Sequence, residues 1–205
     1  MKSDKFFTKN TIIAITVLVT LIIAVLGGAY YLRVRNRISD EKAQAILESL
    51  LPASEEINEI IWGDGLPVAK DAMGKLESVT GAQYRPVDKD CEYKSVKELK
   101  KAISKVYSPR FVETDINKIM FDGDGDVLVG RYRDGKNGLE TNIMNEGYEA
   151  VGKTYIDPAS AKVTGAEFAE VYLTVEDVYE DGSRKERQIT IVKTSDGWRL
   201  DTPTY

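Results

Sequence analysis

The sequence predicts an α+β domain borne on a membrane-spanning helix, and three observations carry that prediction. Residues 11–32 hold no charged side chain. Across residues 39–61 and again across 95–120 the apolar residues recur at helical spacing. From Val127 onward they alternate, in short runs parted by glycine-bearing turns. Helices followed by consecutive hairpin-linked strands give helices packed on one curved antiparallel sheet. A chain of 205 residues suits one such domain, at 39–205, with a transmembrane helix at 11–32, a cytoplasmic tail at 1–10 and a juxtamembrane stretch at 33–38.

The uncharged run TIIAITVLVTLIIAVLGGAYYL is rich in β-branched residues that favour strand in water. In lipid the backbone must satisfy itself, and helix is the solution open to a single segment. Its 22 residues reach about 33 Å as a helix, close to the ~30 Å hydrocarbon thickness. Tyr30 and Tyr31 stand where an interfacial aromatic belt would lie. A cleaved signal peptide, with Gly27 and Ala29 before the cut, is the competing reading. The length of the run and the arginines that follow at once (Arg33, Arg35, Arg37) favour an uncleaved anchor. Lys2, Lys5 and Lys9 on one flank against Arg33, Arg35, Arg37 and Lys42 on the other leave the positive-inside rule undecided. The usual fate of a signal anchor places the domain outside, at the cell membrane.

After the anchor, Ser39 reads as an N-cap with Asp40 and Glu41 in the first turn. Ala43, Ile46, Leu47, Leu50 and Leu51 form the apolar stripe of a helix that Pro52 is expected to end. Ser54 reads as the start of another, with Ile57, Ile60 and Ile61 inward and Gly63 and Gly65 as its stop. Glycine and proline punctuate residues 63–87, which read as a loop leading to a short strand around Ala82 to Val87. Ser95 and Glu98 make a capping box ahead of Val96, Leu99, Ile103 and Val106. Ser108-Pro109 opens a further helix whose buried face is Phe111, Val112, Ile116, Ile119 and Met120.

The strands follow. VLVGRYR runs into DGKNG and then LETNIMNE; YEAVGKTYI runs into a turn at DPASA. KVTGAEFAEVYLTVEDVYE reads as one long strand, DGS as its turn, RKERQITIVKT as the next strand and SDG as the last turn before WRLDTPTY. Val171, Leu173 and Val175 alternate with Tyr172, Thr174 and Glu176, giving one buried and one wetter face.

Charge and residue types narrow the function. Residues 1–38 hold six of the 28 Lys and Arg and one of the 33 Asp and Glu, so residues 39–205 carry 22 − 32 = −10. Such a domain repels nucleic acid and other polyanions and attracts cationic protein surfaces or divalent metal. It also keeps itself soluble. Histidine is absent, which removes Ser-His-Asp and Cys-His nucleophiles and His-ligated zinc. The one cysteine, Cys91, admits no disulfide within the chain and reads as a small core residue. No GxxxxGK[ST] or GxGxxG supports nucleotide binding, and no cofactor is implied. Asp122-Gly-Asp124-Gly-Asp126 starts like an EF-hand loop but has Val127 where glycine is required and Arg133 where a bidentate glutamate is required. It reads as a turn, and no metal ligand or catalytic residue is assigned.

Aromatic residues supply the candidate contacts. Trp62, Tyr84, Tyr132, Tyr155, Tyr172, Trp198 and Tyr205 fall at element ends or on alternate strand faces. Tyrosine and tryptophan anchor binding surfaces, and they also fill the core beneath helices. Trp198, just after a tight turn, belongs to the core. The candidate surface is Trp62, Tyr84, Arg85, Tyr132 and Tyr172.

The closing pattern, a long strand, Asp181-Gly182, a strand and then Asp196-Gly197-Trp198-Arg199-Leu200, resembles the NTF2-like and cystatin-like α+β folds of Gram-positive extracytoplasmic proteins. The likeness spans residues 40–205 and carries no catalytic motif. Tyr84-Arg85 followed by SVKELKKAISKVYS is similar to the inhibitor family of cell-wall DL-endopeptidases over about 25 residues. The apolar anchor, the compact α+β domain and the lack of catalytic residue types lead to the expectation of a membrane-anchored, non-enzymatic module that binds a protein or small ligand of the cell envelope. Endopeptidase inhibition and a histidine-independent hydrolase or isomerase, using Asp or Glu with Tyr, are the alternatives.

Overall fold

The computed structural model describes residues 9–35, 37–69, 77–79, 82–121, 130–144 and 153–205. The Asp122 to Asp126 turn, most of the VLVG run and the start of the YEAVG run lie outside them. Helix α1 (Lys9–Arg35) takes up the uncharged run, and its stretch Thr11–Tyr31 is long and apolar enough to cross a membrane, with none of it buried in the fold. Its hydroxyls are served from within. Thr16 Oγ1 donates to the Ile12 carbonyl and Thr20 Oγ1 to that of Thr16, each at 2.9 Å.

Helix α2 (Asp40–Ile61) begins as expected, with Ser39 Oγ accepting from Lys42 N at 3.4 Å. It does not end at Pro52. One helix runs through the proline, because Leu47, Leu50 and Leu51 before it and Ile57, Ile60 and Ile61 after it lie on one buried stripe. Each buried Leu or Ile contributes about 1.5–3 kcal/mol, which outweighs the ~3 kcal/mol cost of an interior proline. Pro52 is on the exposed side, where water can serve the carbonyl it leaves unmatched. Ser54 is therefore no cap. It is buried in mid-helix and donates to the Leu51 carbonyl at 2.8 Å. Gly65, at φ +80°, turns the chain just beyond the helix end.

Ser95 caps α3 (Val96–Val106), accepting from Glu98 N at 3.2 Å while Glu98 Oε2 accepts from Lys94 N at 2.8 Å. Ser108 caps α4 (Pro109–Phe111), which passes through a π-helical turn (Val112–Ile116) into α5 (Asn117–Met120). The wider turn rotates Ile119 outward to 38 % exposure, against the expectation that it is buried, while Ile116 and Met120 stay inside.

Among the described residues the strands form two four-stranded antiparallel sheets, and this corrects the single curved sheet expected. The first contains β1 (Glu77–Val79), β2 (Ala82–Pro86), β3 (Tyr132–Gly135) and β4 (Gly138–Asn142), ordered β1-β2-β4-β3. Here Tyr84 faces Asn142 and Tyr132 faces Thr141 in register. The second is the meander of β5 (Lys153–Glu167), β6 (Glu170–Tyr179), β7 (Arg184–Thr194) and β8 (Gly197–Leu200).

Two strand expectations are corrected in the second sheet. DPASA is no turn but a bulge inside β5, since Asp157 pairs with Glu176 and Lys162 with Thr174. Asp157 accepts from Ala159 N at 3.0 Å, and Ser160 Oγ accepts from Glu176 N at 2.8 Å, so turn chemistry serves the bulge without ending the strand. The long strand divides at Phe168-Ala169, a two-residue turn holding Phe168 at φ +49°. Inward-facing Val171, Leu173, Val175, Ile189, Ile191 and Leu200 meet Ala43, Leu47 and Ile61 of α2 in one core.

Candidate functional site

The five predicted contacts fall in three places. Trp62 closes α2, is 8 % exposed, and packs on Tyr205 with ring centroids 4.3 Å apart. Tyr84 and Tyr132 belong to the first sheet, and both rings are buried with their hydroxyls bonded to main chain. Tyr84 donates to the Gly130 carbonyl at 2.6 Å; Tyr132 donates to that of Ile60 at 3.1 Å and accepts from Leu66 N at 2.9 Å. Burial pushes both phenols upward in pKa. Arg85, beside Tyr84, is half-buried. Tyr172 stands apart on the outward row of β6.

Arg131, which the sequence did not single out, explains why Tyr132 sits where it does. Its buried guanidinium donates from Nη1 to the Ile61 carbonyl at 2.8 Å and from Nη2 to that of Gly63 at 2.6 Å. A cation on the last carbonyls of α2 answers both the unsatisfied acceptors and the negative end of the helix dipole. Any Cβ at position 65 would meet this guanidinium at 2.5 Å, so the neighbouring turn is built around it. Arg133 lies over the Tyr84 ring, 3.9 Å from its centroid, and pairs with Glu140 at 2.7 Å. Arg131 and Tyr132 fasten the start of β3 to α2, while Arg133 ties the strands of the first sheet to one another.

Tyr172 opens onto a different arrangement. Its hydroxyl donates to Glu170 Oε2 at 3.0 Å, and Glu170 Oε1 pairs with Arg110 Nη1 at 2.9 Å. Arg110 also pairs with Asp201, whose side chain is 1 % exposed, and Asp201 accepts from Ser108 Oγ. Ser108 N donates to the Leu200 carbonyl at 2.8 Å, so the start of α4 is pinned along β8. The result is a chain of groups, Ser108, Asp201, Arg110, Glu170 and Tyr172, running from interior to surface. The Arg110 side chain is 61 % exposed on a buried carboxylate, a cation fixed in place yet open to solvent.

This arrangement can recognise; it is poorly made to react. Both carboxylates are engaged by one guanidinium, and the Ser108 hydroxyl donates to a carboxylate with no imidazole between them. A second polar chain is sealed inside. Tyr107 donates to Asn58 Oδ1 at 2.6 Å, Asn58 Nδ2 to Thr204 Oγ1 at 2.8 Å, and Thr204 Oγ1 to Ser54 Oγ at 3.0 Å. Among the described residues no three His, Cys, Asp or Glu stand together as a metal site. Ser108 was legible as a cap, but nothing in the sequence joins Arg110 to an aspartate 91 positions on. Compared with known protein families and with curated proteins, the chain matches none.

Proposed function

We propose that the chain is a membrane-anchored, non-enzymatic interaction module of the cell envelope, with its 39–205 domain outside the cell and of NTF2-like or cystatin-like kind. The long α2 laid on a four-stranded meander supports the fold assignment. The observation that carries the function is the surface formed by Arg110, Glu170 and Tyr172, held rigid from behind by buried Asp201 and Ser108. Preorganised polar groups beside an amphipathic ring are what a recognition surface requires. The net charge of −10 on 39–205 favours a partner with a cationic face.

The test uses the full-length protein in lipid nanodiscs, offered peptidoglycan fragments and phospholipids while products are measured. The expected result is no turnover. Turnover removed by Asp201→Asn in a variant that keeps its circular dichroism spectrum would overturn the proposal in favour of a histidine-independent hydrolase. In parallel, purified cell-wall DL-endopeptidases receive the same nanodiscs. Slowing at stoichiometric amounts, relieved by Tyr172→Ala with Glu170→Gln, would name the partner.

A further inference from the structure

We propose that the domain touches the bilayer itself, through the turn between β5 and β6, with the Phe168 ring inserted at the interface. The inference rests on reading α1 as membrane-spanning. Its first support is direction. Asp40, at the start of α2, accepts from Val163 N at 2.8 Å, and Gln44, one turn later, donates to the carbonyls of Ala159 and Ala161 at 3.0 and 3.3 Å. β5 therefore runs antiparallel to α2 and overshoots its N-terminus. The strand continues for four residues past Val163, about 13 Å, before it turns.

That overshoot points to the side from which α1 delivers the chain. α1 ends at Arg35, α2 starts at Asp40, and Ile38 between them packs against the core. β5 also comes into contact with α1. From Tyr31 to Asp40 the chain offers roughly 6 Å of helix and at most ~17 Å of extended backbone. A linker held in by Ile38 brings the turn within reach of the interface. The opposite pole is marked by Trp62 and Tyr205, at the far end of α2.

The second support is the turn. Phe168 is 63 % exposed and, among the described residues, is the only non-glycine with positive φ. A two-residue hairpin turn favours glycine or asparagine there, and a large aromatic ring is the costly choice. Held at the tip of the sheet, the residue leaves 63 % of its surface to solvent. The neighbouring Glu170 charge is matched by Arg110, and Lys193, exposed, donates its N–H to the Ala169 carbonyl at 2.9 Å. Glu167 and Asp196 at the same pole give anionic lipid no advantage, so the ring supplies the attraction.

The experiment uses the full-length chain with Cys91→Ser and an environment-sensitive nitrobenzoxadiazole label on a single cysteine, at Glu167→Cys beside the tip or at Asp181→Cys in the β6–β7 turn. Both are reconstituted into phosphatidylcholine vesicles. Expected are co-flotation with the vesicles, blue-shifted emission at 167 that brominated lipid quenches and iodide does not, and the reverse at 181. Adding Phe168→Ser should return the 167 label to the behaviour of the 181 label. Co-flotation with equal iodide quenching at both positions would overturn the inference and leave the anchor intact. A 167 label shielded from iodide yet untouched by brominated lipid would also overturn it, since protein and not bilayer would be the cover. A chain that stays at the bottom of the gradient would remove the anchor reading, and this inference with it.

Discussion

Tyr107 shows how a single hydroxyl can tie distant parts of the chain together. It donates to Asn58 in α2 and lies 2.9 Å from Thr204, and burial pushes its phenol up to about 12 from an ordinary value of 10.0. Between those values the folded protein keeps a proton that the unfolded chain has lost, so stability falls as pH rises from about 10 to about 12. Tyr107→Phe should shrink that alkaline loss, leaving the part due to the other raised phenols, Tyr84, Tyr93 and Tyr132 by burial and Tyr172 by its bond to Glu170. At neutral pH the same change strands the Asn58 acceptor and should destabilise by about 1–3 kcal/mol. Urea midpoints across the alkaline range read both effects; an unchanged slope would exclude the phenol as a source. Asp201 and Glu170 differ in the same spirit. Asp201→Asn weakens a buried acceptor of Ser108 and Arg110 and should cost about 1–3 kcal/mol, whereas Glu170→Gln, half in water, should cost less than about 1 kcal/mol. Comparable losses in thermal melts would show that burial does not decide between them. The sequence named Tyr172 but not Arg110 or Asp201, since pairing across 91 positions leaves no local pattern. It also named Tyr84 and Tyr132 as contacts, although their alternating positions serve a buried face equally well.

At the level of elements, what was legible was chemistry that acts within a few residues. Ser39, Ser95 and Ser108 each cap a helix by bonding an N–H three positions on, and those starts were readable for that reason. The ends and interruptions were not, because distant packing overrules the local signal. Pro52 was read as a stop, yet the stripe on either side of it is buried as one surface. The helix therefore carries an unfavourable residue in its exposed middle, and Pro52→Ala should stabilise the domain by about 1–2 kcal/mol, less than the full helix-interior penalty because proline also restricts the unfolded chain. A raised urea midpoint checks this; no gain would mean that α2 needs the bend. DPASA misled in the same way. Asp157 and Ser160 make the bonds of a turn, but Gln44 reaches from α2 to the bulge and β6 pairs on both sides of it, so the strand persists. The break fell instead at Phe168-Ala169, where no glycine, proline or asparagine announces a turn.

Across the whole molecule, the division into sheets depends on β2 joining β4 from the other side of α3, a pairing that no hairpin turn encodes. The α+β class was readable from composition and period; the separation into two sheets was a matter of long-range register. The apolar helix is the opposite case, because its physics is contained in one segment. Thr11–Tyr31 holds eleven Ile, Leu and Val residues. At about 0.3–0.6 kcal/mol each, they favour insertion by roughly 3–7 kcal/mol. One arginine near the middle of the span opposes this by about 2.5–3.5 kcal/mol, and two oppose it by roughly 5–7 kcal/mol. Leu21→Arg alone should therefore leave most of the protein in the membrane fraction after a high-salt wash. Leu21→Arg with Val17→Arg, one helical turn apart, should move much of it to the soluble or degraded pool. The soluble pool would report on the domain as well, since α2 and both sheets draw their core from residues from Ile38 onward. Equal retention of the single and double variants would mean that something other than the apolar run holds the chain, and the domain's own contact with lipid would be the first place to look.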